Sequence, residues 1–304
     1  MKILLATDGS DSARSALDFV VRFPFPRDSE LRLVTVLQPV LEAAEMGELS
    51  EAHRELFEKA RQAEQDTAAS LLEEEARRLD EAGWRRTTEV RTGNTAEQIV
   101  AAAGAVAADL VVVGSHGHKG VKKYLLGSVS DRVLRHASCS VLVVRHPPAR
   151  EDGTIPLLEA EQPRRLLVAF DGSTPSRKAV ELCATLPVAA GSEVEALTVL
   201  PLIKMYRQDI RQQLSWVWQE KVEAAKQGLD WVSKQVDWPK AAVSTRLEES
   251  PDVAQAILDA AEKQGSDLIV LGDKGRGAVA QFLVGSVTKK VAHRASCSVL
   301  AVRD

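Results

Sequence analysis

Aromatic residues make up only 4% of the 304 positions, so the core is aliphatic and alanine-rich, and the stacking platforms of single-strand nucleic-acid binders are excluded. Cysteine is scarce as well. Cys139, Cys183 and Cys297 are an odd number, widely separated, with neither a CxxC pair nor a zinc spacing among them, and they read as three reduced core thiols. There is no surplus of positive charge: 39 Lys and Arg against 43 Asp and Glu leave a net charge of −4. That balance argues against nucleic acid or an anionic membrane as a partner and makes any phosphate site a local one. No run approaches the roughly 20 apolar residues that span a bilayer. The opening residues MKILLATDGS lack the apolar core and cleavage site of a signal peptide, and the expected location is the cytoplasm.

What is present is ordinary globular composition, 45% hydrophobic and 27% charged, in a chain too long for one hydrophobic core. The chain also repeats itself. MKILLATDGSDSARSAL at the start matches RRLLVAFDGSTPSRKAV from Arg164 to Val180, and LLGSVSDRVLRHASCSVLVVR from Leu125 to Arg145 matches LVGSVTKKVAHRASCSVLAVR from Leu283 to Arg303 without a gap. Two tandem domains follow, residues 1–146 and 164–304, joined by a proline-rich and charged linker at 147–163.

Within each domain short aliphatic runs alternate with longer helical patterns, which predicts α/β architecture: two doubly wound domains, each a five-stranded parallel sheet flanked by helices. Strands are predicted near 2–7, 31–37, 86–91, 109–113 and 140–145, then near 165–170, 193–199, 241–247, 267–271 and 297–303. Leu56, Ala60, Ala63, Thr67, Leu71 and Leu79 step by threes and fours and predict an amphipathic helix stopped by Gly83. Leu214, Val217, Lys221, Ala225, Leu229, Val232 and Val236 predict another, ended by Pro239. Trp216, Trp218, Trp231 and Trp238 beside it read as packing rather than a recognition surface. The apolar strands Ser140–Arg145 and Ser298–Arg303 are edges that need cover. Their expected cover is one another, which pairs the two domains within the chain and leaves closed symmetry for a homodimer.

The chemistry falls after the first and fourth strands of each domain, where a doubly wound sheet binds its ligands. Asp8-Gly9-Ser10 and Asp171-Gly172-Ser173 offer either helix caps or a carboxylate to accept from ribose hydroxyls. Gly114-Ser115-His116-Gly117, nine residues, then Gly127-Ser128 has its counterpart in Gly272-Asp273-Lys274-Gly275, nine residues, then Gly285-Ser286. Glycines ahead of a helix start allow close backbone approach and present N–H groups to anionic oxygens, so phosphate is the expected guest. Lys119, Lys122 and Lys123, or Lys274 and Arg276, supply cations nearby. No GxxxxGK[ST] occurs, which disfavours a P-loop enzyme. Gly275-Arg276-Gly277-x-x-Ala280 fits a dinucleotide fingerprint but comes with only one strand left. His116 and His118 lack the cysteine or carboxylate company of a metal site, and neither Ser10 nor Ser128 has an assignable catalytic triad.

These motifs resemble the universal stress protein family in its tandem two-domain form, over nearly the whole chain, and G-x2-G-x9-G-[S/T] is the mark of its ATP-binding branch. The resemblance implies a nucleotide site of Asp8, Val36, Gly114, Gly117, Gly127 and Ser128, and a second of Asp171, Val199, Gly272, Gly275, Gly285 and Ser286. In each, Asp contacts the nucleoside, Val offers its backbone to adenine, and the glycines with Ser hold phosphates. The implied cofactor is ATP, or ADP or AMP, with or without Mg. The implied role is a nucleotide-dependent stress-response regulator with no catalytic residue and at most slow ATP hydrolysis. A slow ATPase or autophosphorylating protein, and a scaffold with empty pockets, are the alternatives. Two departures predict a weaker second site. Asp273 replaces Ser115, where a carboxylate would repel phosphate unless Lys274 or Arg276 offsets it, and Glu249 stands near the counterpart of Gly93. The second loop is also the expected element to rearrange on binding.

Overall fold

The computed structural model describes residues 1–23, 25–26, 28–39, 50–117, 126–145, 165–186, 191–202, 215–239, 241–275 and 284–303. The linker at 147–163 lies outside them, as do His118, Lys119, Lys122, Lys123, Leu214, Arg276, Gly277 and Ala280.

The first half runs β1 (Lys2–Ala6), α1 (Asp11–Arg22), β2 (Glu30–Leu37), α2 (Glu51–Glu81), β3 (Arg85–Thr92), α3 (Thr95–Ala105), β4 (Leu110–Gly114), α4 (Ser128–His136) and β5 (Ser140–Val144). The second runs β6 (Arg165–Ala169), α5 (Thr174–Thr185), β7 (Ser192–Pro201), α6 (Ser215–Lys234), β8 (Ala241–Ser250), α7 (Val253–Gln264), β9 (Leu268–Gly272), α8 (Ser286–Arg294) and β10 (Ser298–Val302). All ten predicted strands are present to within three residues at either end. Within each half the strands are parallel, in the spatial orders β3-β2-β1-β4-β5 and β10-β9-β6-β7-β8.

Composition explains this order. KILLA, LVVVG and SVLVV are nearly continuous apolar runs that are buried along their length, as strands covered on both faces must be. RRTTEVRT and AAVSTRLEES alternate exposed with half-buried residues and take the two outer edges, where charge discourages further pairing. Glu89 on β3 accepts from Arg32 at 3.0 Å and Arg91 at 2.8 Å, and Glu195 on β7 faces Arg246 of β8 at 2.6 Å. At the centre, β5 and β10 pair antiparallel, Val143 with Val299, Leu142 with Leu300 and Val141 with Ala301, so a single ten-stranded sheet runs through both halves.

Alternate residues of each strand feed two apolar layers. On one side Ile3 and Leu5 pack with α1 and α2, and Leu166 and Val168 with α5 and α6. On the other Leu4 and Ala6 pack with α3 and α4, and Leu167 with α7 and α8.

One helix departs from its predicted face and another only from its predicted end, since Ala225, Leu229 and Val232 are buried as their spacing predicts. In α2 the buried residues are Ala68, Leu72, Glu75, Ala76 and Leu79; Leu79 is on the predicted face, the others lie off it, and Leu56 is 62% exposed. Ala60, Ala63 and Thr67 are exposed and Leu71 is half-buried. The helix carries a second apolar row at the same spacing, and only its C-terminal half reaches the core. Gly83 does stop it, at φ +80°, with Trp84 N–H donating to Leu79 O at 3.0 Å. Helix α6 ends at Lys234 rather than at Pro239. The Trp238 indole N–H takes the Val232 carbonyl at 2.8 Å and so satisfies one of the terminal acceptors.

Trp231 stacks on Phe170, 5.9 Å between ring centres. Trp218 donates to Glu249 at 3.3 Å, whereas Trp216 is 64% exposed and does not follow the packing expectation. All three cysteines carry free thiols. Burial pushes Cys139 up to about 11 and Cys183 and Cys297 up to about 12, which keeps them protonated and unreactive at neutral pH. Among the described residues, no helix is long and apolar enough to cross a membrane.

Candidate functional site

Strand order reverses between β1 and β4, and between β6 and β9; a crevice opens at the carboxyl end of each pair. The first is a cavity of about 500 Å³ lined by all six residues singled out in the first half: Asp8, Val36, Gly114, Gly117, Gly127 and Ser128. The second, about 340 Å³, is lined by all six of the second half: Asp171, Val199, Gly272, Gly275, Gly285 and Ser286. Residues as far apart as 8 and 128 are thus brought to one place, and the arrangement is repeated.

The caps are divided among neighbouring residues. Ser10 and Ser173 are the N-caps, each Oγ accepting from the third residue on at 3.3 Å. Asp8 and Asp171 instead accept from the Ser10 and Ser173 N–H through Oδ1, at 3.0 and 2.9 Å, which fixes each carboxylate at the pocket wall. A Cβ on Gly117 would lie 2.6 Å from Asp8 Oδ2, and one on Gly275 would lie 2.8 Å from Asp171 Oδ2. A side chain at either position would push that carboxylate from its place at the pocket wall.

Gly114 has a different reason from the expected approach of a ligand. A Cβ on it would stand 2.6 Å from the Ser12 backbone, so its smallness lets the first turn of α1 pack on β4; Gly272 does the same against Pro175 and Ser176.

Gly127 and Gly285 are the N-caps of α4 and α8, and neither end has a side-chain cap. Each helix thus begins at the cavity with its first N–H groups uncapped by a side chain, beside Ser128 or Ser286. Unpaired N–H groups and the positive end of the helix dipole favour an anion at this spot. Ser130 and Thr288 sit one step inside and donate to the Gly114 and Gly272 carbonyls at 2.7 and 2.8 Å, which ties each helix start to its strand.

Other lining residues escaped the sequence reading. Gln38 donates to Thr95 Oγ1 at 3.1 Å on the Val36 side of the first cavity. Its signal was the repeat itself, since Pro201 stands two residues after Val199 where Gln38 follows Val36. Thr7 lines the first cavity and Phe170 the second. Among the described residues, Asp8 and His116 are the ionisable side chains lining the first, Asp171 and Lys274 those of the second. Burial and the charge of Arg145 hold His116 below the ordinary imidazole range. Among the described residues no group of three His, Cys, Asp or Glu gathers as a metal would need.

Both departures expected to weaken the second site need correction. Asp273 is 2% exposed and accepts from Arg303 Nε at 2.8 Å. Its carboxylate is neutralised inside the fold and does not line the cavity, so the expected repulsion is absent. Glu249 is not the counterpart of Gly93. Gly93, at φ +137°, precedes the cap Asn94, and the residue preceding the equivalent cap Asp252 is Pro251.

A doubly wound domain with a carboxylate after its first strand and a glycine-capped helix after its fourth is present twice on one sheet, which defines a tandem α/β protein. The model of the Universal stress protein family matches residues 1–145 and 163–303, and the chain belongs to that family. A universal stress protein of Mycolicibacterium smegmatis is 27% identical over 312 residues, covering 99% of this chain and 96% of its own. One from Methanocaldococcus jannaschii is 33% identical over 146 residues, 48% of this chain and 82% of its own length. Among solved structures, a universal stress protein from Archaeoglobus fulgidus shares the fold with a TM-score of 0.61 at 21% identity, covering 99% of this chain and 96% of its own.

Proposed function

We propose that this protein is a cytoplasmic, nucleotide-dependent stress-response regulator that holds ATP, or ADP or AMP, in its two crevices. The observation that carries the reading is the convergence of six predicted residues on one cavity in each half, with a glycine-capped helix start opposite a fixed aspartate. The helix start suits phosphate oxygens, the aspartate suits ribose hydroxyls, and the end of the second strand at Val36 or Val199 has backbone to offer a base. With the repulsion from Asp273 gone, both crevices are sites, and Lys274 adds a cation to the second.

The role is occupancy rather than turnover. Among the described residues His116 and Asp8 are the ionisable groups lining the first cavity, and no arginine or lysine stands with them to stabilise a transferring phosphoryl group. Binding that is no tighter in the transition state accelerates nothing. Calorimetric titration with ATP, with and without Mg, tests the reading. Ser128→Ala removes one hydrogen bond to a charged group, worth about 1.5–3 kcal/mol, and is expected to weaken ATP roughly ten- to a hundredfold. A protein that neither carries nucleotide on purification nor takes up ATP sinks the proposal, and steady hydrolysis near about 10 per second would make it an ATPase.

A further inference from the structure

The duplication allows the two crevices to be compared residue against residue. Much of their frame is shared. Asp8 and Asp171 are fixed by the same backbone turn, and Ile99 and Ile257 line the same wall. The ends of the second strands are set alike, since Thr7 N–H donates to Val34 O and Phe170 N–H to Leu197 O, both at 2.9 Å. Whatever backbone Val36 offers a ligand, Val199 offers too, so a difference in selectivity has to come from side chains.

At the strand end those side chains diverge. Gln38, two residues after Val36, and Thr95, the first residue of α3, both line the first cavity, with Gln38 Nε2 donating to Thr95 Oγ1 at 3.1 Å. The matching residues are Pro201 and Val253, and the second cavity is walled at this end by Leu197, Val199, Val253 and Ile257. An amide bonded to one hydroxyl still has an N–H and a carbonyl oxygen for a ligand; proline and valine side chains have neither. The volumes follow the same pattern: Leu197 and Leu271 stand where the first half has Val34 and Val113, and the cavity is about 340 Å³ rather than about 500 Å³. At the phosphate end the contrast is reversed. Lys274 lines the second cavity at the position that His116 holds in the first. Burial and the charge of Arg145 hold that imidazole below its ordinary range, so at neutral pH Lys274 brings its wall a positive charge that His116 does not.

On the reading of both crevices as nucleotide sites, on which this rests, we propose that they select differently: the first by base, taking adenine nucleotides through Gln38 and Thr95, the second by phosphate charge, taking triphosphates of either purine. A site that hydrogen-bonds one edge of its ligand rejects an analogue whose edge does not match, whereas apolar walls discriminate poorly. An amide suits the adjacent donor and acceptor of adenine, and guanine presents two acceptors on the same edge. Gln38 is exposed at the rim, which keeps the preference modest.

The test is calorimetric titration of the full chain with ATP, GTP and AMP, using Ser286→Trp to fill the second crevice and Ser128→Trp to fill the first. With the second filled, ATP binds about two- to tenfold more tightly than GTP, the net worth of one hydrogen bond, and adding Gln38→Ala removes that preference. With the first filled, ATP and GTP bind alike, the gap between ATP and AMP is wider than in the first crevice, and Lys274→Gln narrows it. Should a tryptophan variant fold poorly, Pro201→Gln with Val253→Thr in the otherwise wild-type chain carries the base preference into the second crevice, so that both sites rather than one favour ATP. Equal ATP-to-GTP ratios in the two crevices, a preference that survives Gln38→Ala, or an ATP-to-AMP gap no wider in the second crevice than in the first overturns the proposal and leaves the nucleotide reading standing. A chain that binds none of the three nucleotides overturns both.

Discussion

Thr7 and Phe170 hold the same place in the two halves, one residue before the pocket aspartate, and each has remade the helix behind it. Thr7 Oγ1 donates to Glu75 Oε1 at 2.9 Å. Glu75 is 3% exposed, and its other oxygen has no partner. Burial raises its carboxyl above the usual range, against the opposing Thr7 hydrogen bond and the charges of Arg14 and Arg78. In the second half Gly228 stands where the buried spacing of α6 matches Glu75, and a Cβ there would come within 2.8 Å of the Phe170 ring. Arg177, matching Arg14, lies 4.8 Å from the Trp231 ring centre, a cation–π contact in place of a buried acid. A raised folded pKa gives stability that is fully present below the unfolded value, near 4.3, and is lost as pH rises through the folded value. Glu75→Gln keeps an acceptor for Thr7 and is expected to raise the unfolding midpoint at pH 7.5 but not at pH 4; an equal shift at both would remove the protonation argument. The pocket residues were legible because the motifs recur in order along the chain. The Thr7–Glu75 and Arg303–Asp273 bonds were not, since they join residues 68 and 30 apart in sequence, and a sequence does not show which way a carboxylate turns.

At the scale of the element, strands were more legible than helix faces. An apolar run between two loops has one reading in a parallel sheet, because both of its faces are covered. A helix of 31 residues such as α2 has several rows at near-identical spacing, and which of them meets the sheet depends on where the helix docks. Residues 51–67 are exposed apart from the half-buried Phe57 and Gln65, and the charge-rich composition there keeps the helix wet without core contacts. Energetics should follow this division. Leu79 is fully buried, and Leu79→Ala is expected to cost about 2–5 kcal/mol, through lost burial and the cavity left behind. Leu56→Ala, at an exposed position on the predicted face, should fall within about 0.5 kcal/mol of wild type. Urea unfolding of the two variants separates these outcomes, and comparable losses at both positions would restore the predicted face.

Over the whole molecule, the junction of the halves combines backbone pairing with charge, and the charge is not symmetric. β5 and β10 close each other's edges, which leaves the polar strands β3 and β8 as the sheet's outer borders. Beside this seam Asp131 on α4 accepts from His293 of α8 at 2.8 Å and from Arg135 at 2.5 Å. The matching position to Asp131 in α8 is Lys289, so the pseudo-symmetric partner of this bond cannot form, and the junction is held from one side. Burial works to raise the Asp131 carboxyl, but the His293 hydrogen bond and the Arg135 charge outweigh it and hold it below the usual range. A lowered folded pKa means stability present above the unfolded value near 3.9 and lost as pH falls through the folded one. Helices α4 and α8 both start at a crevice, and the Asp131–His293 bond joins the first turn of α4 to the last turn of α8. If residues 1–146 and 164–304 are produced together as separate chains, they are expected to elute as one complex at neutral pH. Asp131→Ala removes a charge-assisted hydrogen bond worth about 1.5–3 kcal/mol and should weaken the complex roughly ten- to a hundredfold. That difference should shrink as pH falls through the lowered folded value and the wild-type carboxylate itself becomes protonated. Size-exclusion and equilibrium sedimentation at neutral and acid pH read this out; pieces that elute apart at neutral pH without any substitution would show that the linker, and not the seam, keeps the halves together.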